Sequence, residues 1–106
     1  MPSSIDLTNL RDITDGDVEF EQKLLAMFID NSSECLSNLK KFCDKDENDM
    51  WHRQAHSLKG LALNIGAKKL AEFCLAAEKS PSKSSLILVE KEYKKVKSEI
   101  EKLIKK

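Results

Sequence analysis

The sequence is short of the residues that interrupt helices. Its 106 residues include three glycines and two prolines, and β-branched clusters are scarce. Punctuation that sparse argues against a turn-rich all-β fold and predicts an all-α protein. A glycine-rich phosphate loop is also missing. Gly16, Gly60 and Gly66 stand far apart, so ATP binding is not expected. Net charge is zero, 18 basic residues balancing 18 acidic ones. That removes the global field with which a protein attracts nucleic acid or cations. No apolar run is long enough to span a bilayer, and Met1 to Asp6 lack the apolar core of a signal peptide. No two cysteines have CxxC spacing. Cys35, Cys43 and Cys74 are odd in number, so reduced, buried thiols in a cytoplasmic protein are expected. No Ser/His/Asp hydrolase pattern is visible. The length suits one domain over residues 1–106.

What the chain does have is helical periodicity. A short helix is predicted over about Thr8 to Ile13, stopped by Asp15-Gly16-Asp17, with Asp17 placed to cap the next helix. That second helix runs from about Val18 to Cys43. Leu24, Leu25, Phe28, Ser32, Cys35, Leu39, Phe42 and Cys43 keep the three-and-four spacing of a buried face. The polar run Asp44 to Asp49 ends it and offers an N-cap to a third helix, from about Glu47 to Ile65. There Trp51, Ala55, Leu58, Ala62 and Ile65 form the core stripe, and Gly66 is a natural stop. A fourth helix begins near Ala67 and presents Leu70, Phe73, Cys74 and Ala77 until Ser80-Pro81-Ser82. A fifth, from about Ser84 to the C-terminus, presents Leu86, Val89, Tyr93, Val96, Ile100 and Leu103. Four long one-faced helices with short connections predict an antiparallel four-helix bundle with a short additional N-terminal helix. Acids crowd the start (Asp12, Asp15, Asp17, Glu19, Glu21) and lysines the end (Lys91 to Lys106). On helices such asymmetry reflects macrodipole preference and solvation.

The stretch Ala55 to Ala67, AHSLKGLALNIGA, breaks the pattern by placing a histidine, a lysine and a glycine in a helix. Glycine there costs about 1 kcal/mol relative to alanine. On a wheel of about 100° per residue centred on the core stripe, Gly60 lies roughly 180° away and His56 roughly 140°. Leu63 lies roughly 120° away, and Lys59 and His52 roughly 80–100°. Gly60 thus removes a side chain one turn from an outward histidine and clears the approach of a partner. Lys59 is placed to serve as counter-charge to an anion carried on His56. The ordinary roles of these residues are a surface histidine, a helix contact and a solvated lysine. The three together on one outward face argue against that.

His56-Ser57-Leu58-Lys59-Gly60, followed by Asn64-Ile65-Gly66-Ala67, resembles the H-x-L-K-G…G-A signature of histidine-containing phosphotransfer (HPt) domains of two-component phosphorelays. The leading Leu7-x-x-Leu10-Arg11, the Asp-Gly-Asp turn, Phe28 and Leu70…Cys74…Glu78 also sit where that family has them. The resemblance implies that His56 is the phosphorylated residue, Lys59 its electrostatic support and Gly60 the clearance for the partner. His52, Leu63 and Asn64 become candidates for the docking surface. It further implies a covalent phosphocarrier, not an enzyme that phosphorylates itself. The partners implied are receiver domains of a hybrid sensor kinase, of response regulators, or of both. No cofactor of its own is expected, Mg²⁺ coming with the receiver, and the state expected is a monomer. A single unit with its own Met1 leans toward a free-standing carrier, with a domain of a hybrid sensor kinase as the open alternative.

The sequence departs from the family at one position. Some members carry glutamine where this chain has Glu78. His56 lies ten residues before Gly66 and Glu78 twelve after it, so at about 1.5 Å per residue the two reach similar heights on antiparallel helices. Glu78 could then accept a hydrogen bond from one imidazole nitrogen and leave the other as nucleophile. As a carboxylate it would also repel an incoming phosphoryl group. A degenerate HPt-like module that binds without chemistry is one alternative, and the phosphotransfer domain of a chemotaxis kinase another. A third is a metal site at His52 and His56, four apart with Asp49 nearby, although the ligands are too few for closed zinc coordination.

Overall fold

The computed structural model describes residues 5–44 and 48–104, the side chain of residue 44 aside. Five helices follow one another: α1 (Thr8–Thr14), α2 (Val18–Asp44), α3 (Asn48–Asn64), α4 (Lys68–Lys79) and α5 (Lys83–Ile104). The expected boundaries stand within a residue or so. The start predicted at Glu47, part of the polar capping run and the last two lysines lie outside the described residues. Each long helix packs on its neighbour in the chain, and α5 closes against α2. The result is the all-α antiparallel bundle that the periodicity predicts, with α1 laid on α2. At about 1.5 Å per residue, the 27-residue α2 is about 40 Å long and spans most of the molecule's 44 Å long axis.

The core stripes read from the sequence are the buried faces. Leu25, Leu39, Trp51, Ala55, Leu58, Ala62, Leu70, Cys74, Ala77, Val89, Val96 and Ile100 are essentially inaccessible. Leu24, Phe42, Cys43, Phe73 and Leu103, predicted as core, are only partly buried at its edge. Leu36 is buried although the predicted stripe omits it. Both α3 and α4 bury alanines, Ala55 and Ala62 on the one and Ala71 and Ala77 on the other. Small side chains let two helix backbones approach closely. Between α2 and α5, Tyr93 supplies the polar link: its hydroxyl lies 3.0 Å from Ser32 Oγ and 2.8 Å from Ser33 Oγ. Such a buried hydroxyl must find a partner or lose its hydration without return.

Helix ends are closed by neighbours. Asp17 Oδ1 accepts from Phe20 N–H at 3.0 Å, the expected cap of α2. Gln22 Nε2 donates to Leu103 O at 3.0 Å and so satisfies a terminal carbonyl of α5 from α2. Trp51 Nε1 donates to Ala77 O at 2.7 Å and does the same for α4 from the first turn of α3.

Gly66 carries two loads where the sequence suggests one. Ala67 N–H donates to Ala62 O at 2.8 Å and Gly66 N–H to Leu63 O at 3.1 Å, which is the Schellman pattern of a helix stop. Gly66 takes the left-handed φ of 70° that this stop requires. The N-terminal segment then crosses the turn, Asp6 N–H donating to Gly66 O at 3.1 Å. A Cβ on Gly66 would lie 1.9 Å from Asp6 O. From there Asp6 Oδ1 caps α1 through Thr8 N–H at 3.0 Å, Leu7 and Leu10 enter the core, and Arg11 Nε meets Glu21 Oε1 at 2.8 Å. Gly66→Ala is therefore expected to destabilise the protein by about 2 kcal/mol or more, combining left-handed strain with a backbone clash. Urea unfolding monitored by circular dichroism measures this, and a loss well under about 1 kcal/mol would refute the double role.

Candidate functional site

The site is built on the α3–α4 hairpin. His56 belongs to the third turn of α3 and points out of the bundle, its side chain 67% exposed. Glu78 comes from the last turn of α4 and is the opposite case, its side chain 7% exposed. His56 Nδ1 and Glu78 Oε1 are 2.8 Å apart. A carboxylate oxygen only accepts, so Nδ1 carries the hydrogen and Nε2 of the neutral ring holds the free lone pair. The second oxygen, Oε2, accepts from Lys59 Nζ at 3.3 Å, and the lysine side chain is 23% exposed.

Placement follows from the hairpin. Gly66 turns the chain so that α4 returns along α3, and Trp51 anchors the far end at Ala77, the residue before Glu78. His52, one turn from His56, turns its Nδ1 toward Glu78 O at 3.5 Å, at the outer limit of a hydrogen bond. The first turn of α3 thus attends to the terminal carbonyls of α4.

The electrostatics are those of a buried anion between two donors. Burial pushes the Glu78 carboxyl up, but the hydrogen bonds from His56 and Lys59, together with the charge of both, outweigh it. The group lies below its ordinary value of 4.5. Cys74, one turn earlier in α4, feels the reverse. Burial, aided by the Glu78 charge, pushes its thiol up to about 12. It is a packing residue without thiolate character.

The structure brings His56, Lys59 and Glu78 together. Lys59, expected as counter-charge to an anion on His56, is bound to the acid that also holds that imidazole. Glu78 is not the solvated helix-end acid that is its ordinary alternative. Gly60 lies on the exposed face, and a Cβ added to it meets no atom within 4 Å. An open groove between α2 and α3 passes His56 and is lined by Asn31, Glu34, Asn38, Ser57, Gly60 and Asn64. Leu63 is exposed on α3, Phe20 and Met27 on α2. The α2 contribution to this face is absent from the expectations drawn from sequence. Its signal is there: Phe20, Met27, Asn31, Glu34 and Asn38 recur at three-, four- and seven-residue steps along one side of α2. His52 is exposed next to this surface. Among the described residues no three His, Cys, Asp or Glu side chains are grouped to hold a metal, and no helix is long and apolar enough to cross a membrane.

The model of the Hpt domain family matches residues 23–105. The match starts inside α2 and takes in the whole of α3 and α4. No curated protein and no solved structure matches the chain.

The Glu78 carboxyl also gives stability a pH dependence. Its folded value lies below its unfolded one, so its contribution is present above about pH 4.5 and is lost as pH falls through the lowered folded value. Glu78→Gln removes this. Denaturation midpoints of the variant are expected to fall less steeply than those of the wild type below about pH 4.5. Parallel acid limbs would show that the carboxylate is not held by the two cations.

Proposed function

This chain belongs to the Hpt domain family, and from that premise we propose that it is a phosphorelay intermediate whose phosphorylated residue is His56. Hpt domains carry phosphoryl groups in two-component signalling and work with receiver domains. On the proposed reading His56 Nε2 attacks the aspartyl phosphate of one receiver, and the phosphohistidine later yields the group to the aspartate of another. One observation carries this assignment: an exposed histidine whose Nδ1 is tied to a buried carboxylate, which leaves Nε2 as the free nitrogen. Glu78 orients the ring, and Lys59 supplies positive charge beside the phosphoryl group. Positioning and charge compensation account for most catalysis of such transfers. Mg²⁺ would belong to the receiver and not to this chain.

Gly60 supports the same reading. Its backbone has no left-handed φ, and none of the described residues occupies the space of its missing Cβ. The absent side chain serves the approach of the receiver over the α2–α3 groove, where Asn31, Asn38 and Asn64 offer polar contact, with Phe20 and Met27 of α2 and Leu63 of α3 as exposed apolar side chains. Apolar anchors among hydrogen-bonding groups are the composition of a transient protein interface.

Two experiments test the proposal. Incubation with phosphorylated receiver domains is expected to label the wild type and to leave His56→Gln unlabelled; equal labelling of both would sink the assignment. For Gly60 the two consequences have opposite signs. Gly60→Ala is expected to stabilise the fold by about 0.5–1 kcal/mol, because alanine is the better helix former and meets no neighbour. Gly60→Gln is expected to slow transfer on the order of a hundredfold with the bundle intact. Unchanged transfer by the glutamine variant would rule out the clearance role.

A further inference from the structure

Resting on the phosphocarrier reading, we propose that the Glu78 carboxylate holds a proton on His56 Nδ1 while the phosphoryl group is on Nε2, and thereby extends transfer off the histidine to higher pH. The balance of the step shows why this matters. On the way in, the Nε2 lone pair forms the N–P bond as the P–O bond of the acyl phosphate breaks, and that electron pair goes to the receiver's aspartate. The ring keeps its Nδ1 hydrogen and becomes a cation. On the way out, an aspartate oxygen attacks phosphorus and the N–P electron pair returns to Nε2. With Nδ1 protonated the leaving group is a neutral imidazole. With Nδ1 deprotonated it is an imidazolate, a far stronger base and a far poorer leaving group. No proton need enter or leave as long as Nδ1 stays protonated. The outward rate therefore follows the fraction of phosphorylated ring that has kept this hydrogen.

The geometry fixes the sign of the effect. Glu78 Oε1 is 2.8 Å from Nδ1, and its side chain is nearly withdrawn from water, where a charge acts more strongly than at the surface. An anion in contact with the Nδ1–H opposes loss of that proton. The other charged and titratable groups around the ring are His52 and Lys59 on α3 and, across the groove, Glu34 on α2. Lys59 works against Glu78 but is bound to the other carboxylate oxygen, Oε2, at 3.3 Å. Neither His52 nor Glu34 has a hydrogen bond to the ring. A glutamine in place of Glu78 would keep an acceptor for Nδ1–H and lose the charge. Orientation and proton retention can therefore be separated by one substitution.

The experiment uses the full chain. Wild type and Glu78→Gln are phosphorylated with phosphoramidate or with a phosphorylated receiver, repurified, and chased with excess unphosphorylated receiver from about pH 6 to about pH 9, a range that spans imidazole titration. The ratio of outward rates cancels the receiver's own pH dependence. The alkaline fall-off is expected about one pH unit earlier in Glu78→Gln, the shift expected of a contacting charge at a partly exposed site. A ratio that stays flat with pH, or a fall-off moved upward, overturns the proposal and leaves the carrier reading standing. A wild type that takes label from neither donor overturns both. Should the variant not fold, NMR titration of the phosphorylated wild type decides the same question. Its ring is expected to keep the Nδ1 proton to higher pH than free N-phosphoimidazole in the same buffer, and equal titration overturns the proposal.

Discussion

Register between α3 and α4 is the constraint on which the site depends. It is set at both ends of the hairpin. At one end Gly66 reverses the chain with two hydrogen bonds, from its own amide and that of Ala67, back to Leu63 and Ala62. At the other, Trp51 spans the interface to Ala77 O. Between these points both helices bury small side chains, Ala55 and Ala62 on α3 and Ala71 and Ala77 on α4. A one-residue slip would turn Glu78 by about 100° around α4 and take its carboxylate off the imidazole. The Trp51 bond has two consequences at once. It satisfies a carbonyl that α4 cannot satisfy by itself, and it pins the residue next to the one that holds the histidine. Structure and site therefore share their strongest contacts, and the N-terminal segment, seated on Gly66 through Asp6, belongs to the same assembly.

Within that frame the burial of Glu78 needs compensation. A carboxylate this withdrawn from water is costly unless paired and hydrogen-bonded. His56 and Lys59 provide one donor to each oxygen. On the proposed reading Lys59 therefore has two duties that cannot both be fully met at once: it balances Glu78 in the resting protein, and it would be a counter-charge for a phosphoryl group on His56. The repulsion that a carboxylate at this position threatens is reduced by this lysine. On the proposed reading it would be reduced further by the ring itself, which would be cationic once phosphorylated with Nδ1–H retained and would stand between the two anions. The neutral residue that some family members carry here would need neither compensation, and would give up the hold on the proton.

The helices are legible in the sequence because each buries one stripe, and a stripe survives as a period. The same period places His56 and Gly60 on the outward side of α3, and counting residues about Gly66 brings Glu78 level with His56. Other features depend on distance, which period does not encode. The sequence alone cannot show that Lys59 turns to Glu78, because that contact depends on how closely α4 lies to α3. The second load on Gly66 is hidden for a similar reason: its partner, Asp6, is sixty residues away in the chain. Leu36 and the exposed row on α2 escape a search for a single best stripe. A helix between two neighbours buries a broader arc, and its remaining face can carry a pattern of its own.

The two glycines of α3 and its turn show how far such reasoning reaches. Gly66 is required from within: its φ, its hydrogen bonds and the proximity of Asp6 each demand the absence of a side chain. Gly60 is required by nothing within. Its backbone is ordinary helix, no described residue fills the space of its missing Cβ, and alanine would serve the fold better. A residue that lowers the stability of the isolated molecule, with no compensation inside it, directs attention outward. Here the outside is the face on which His56 presents Nε2. A group that transfers between two proteins must bring their reacting atoms to within about 3–3.5 Å, closer than an intervening side chain on the same face would allow. On the proposed reading the stability forgone at Gly60 serves the geometry of an encounter, and not the architecture of the bundle.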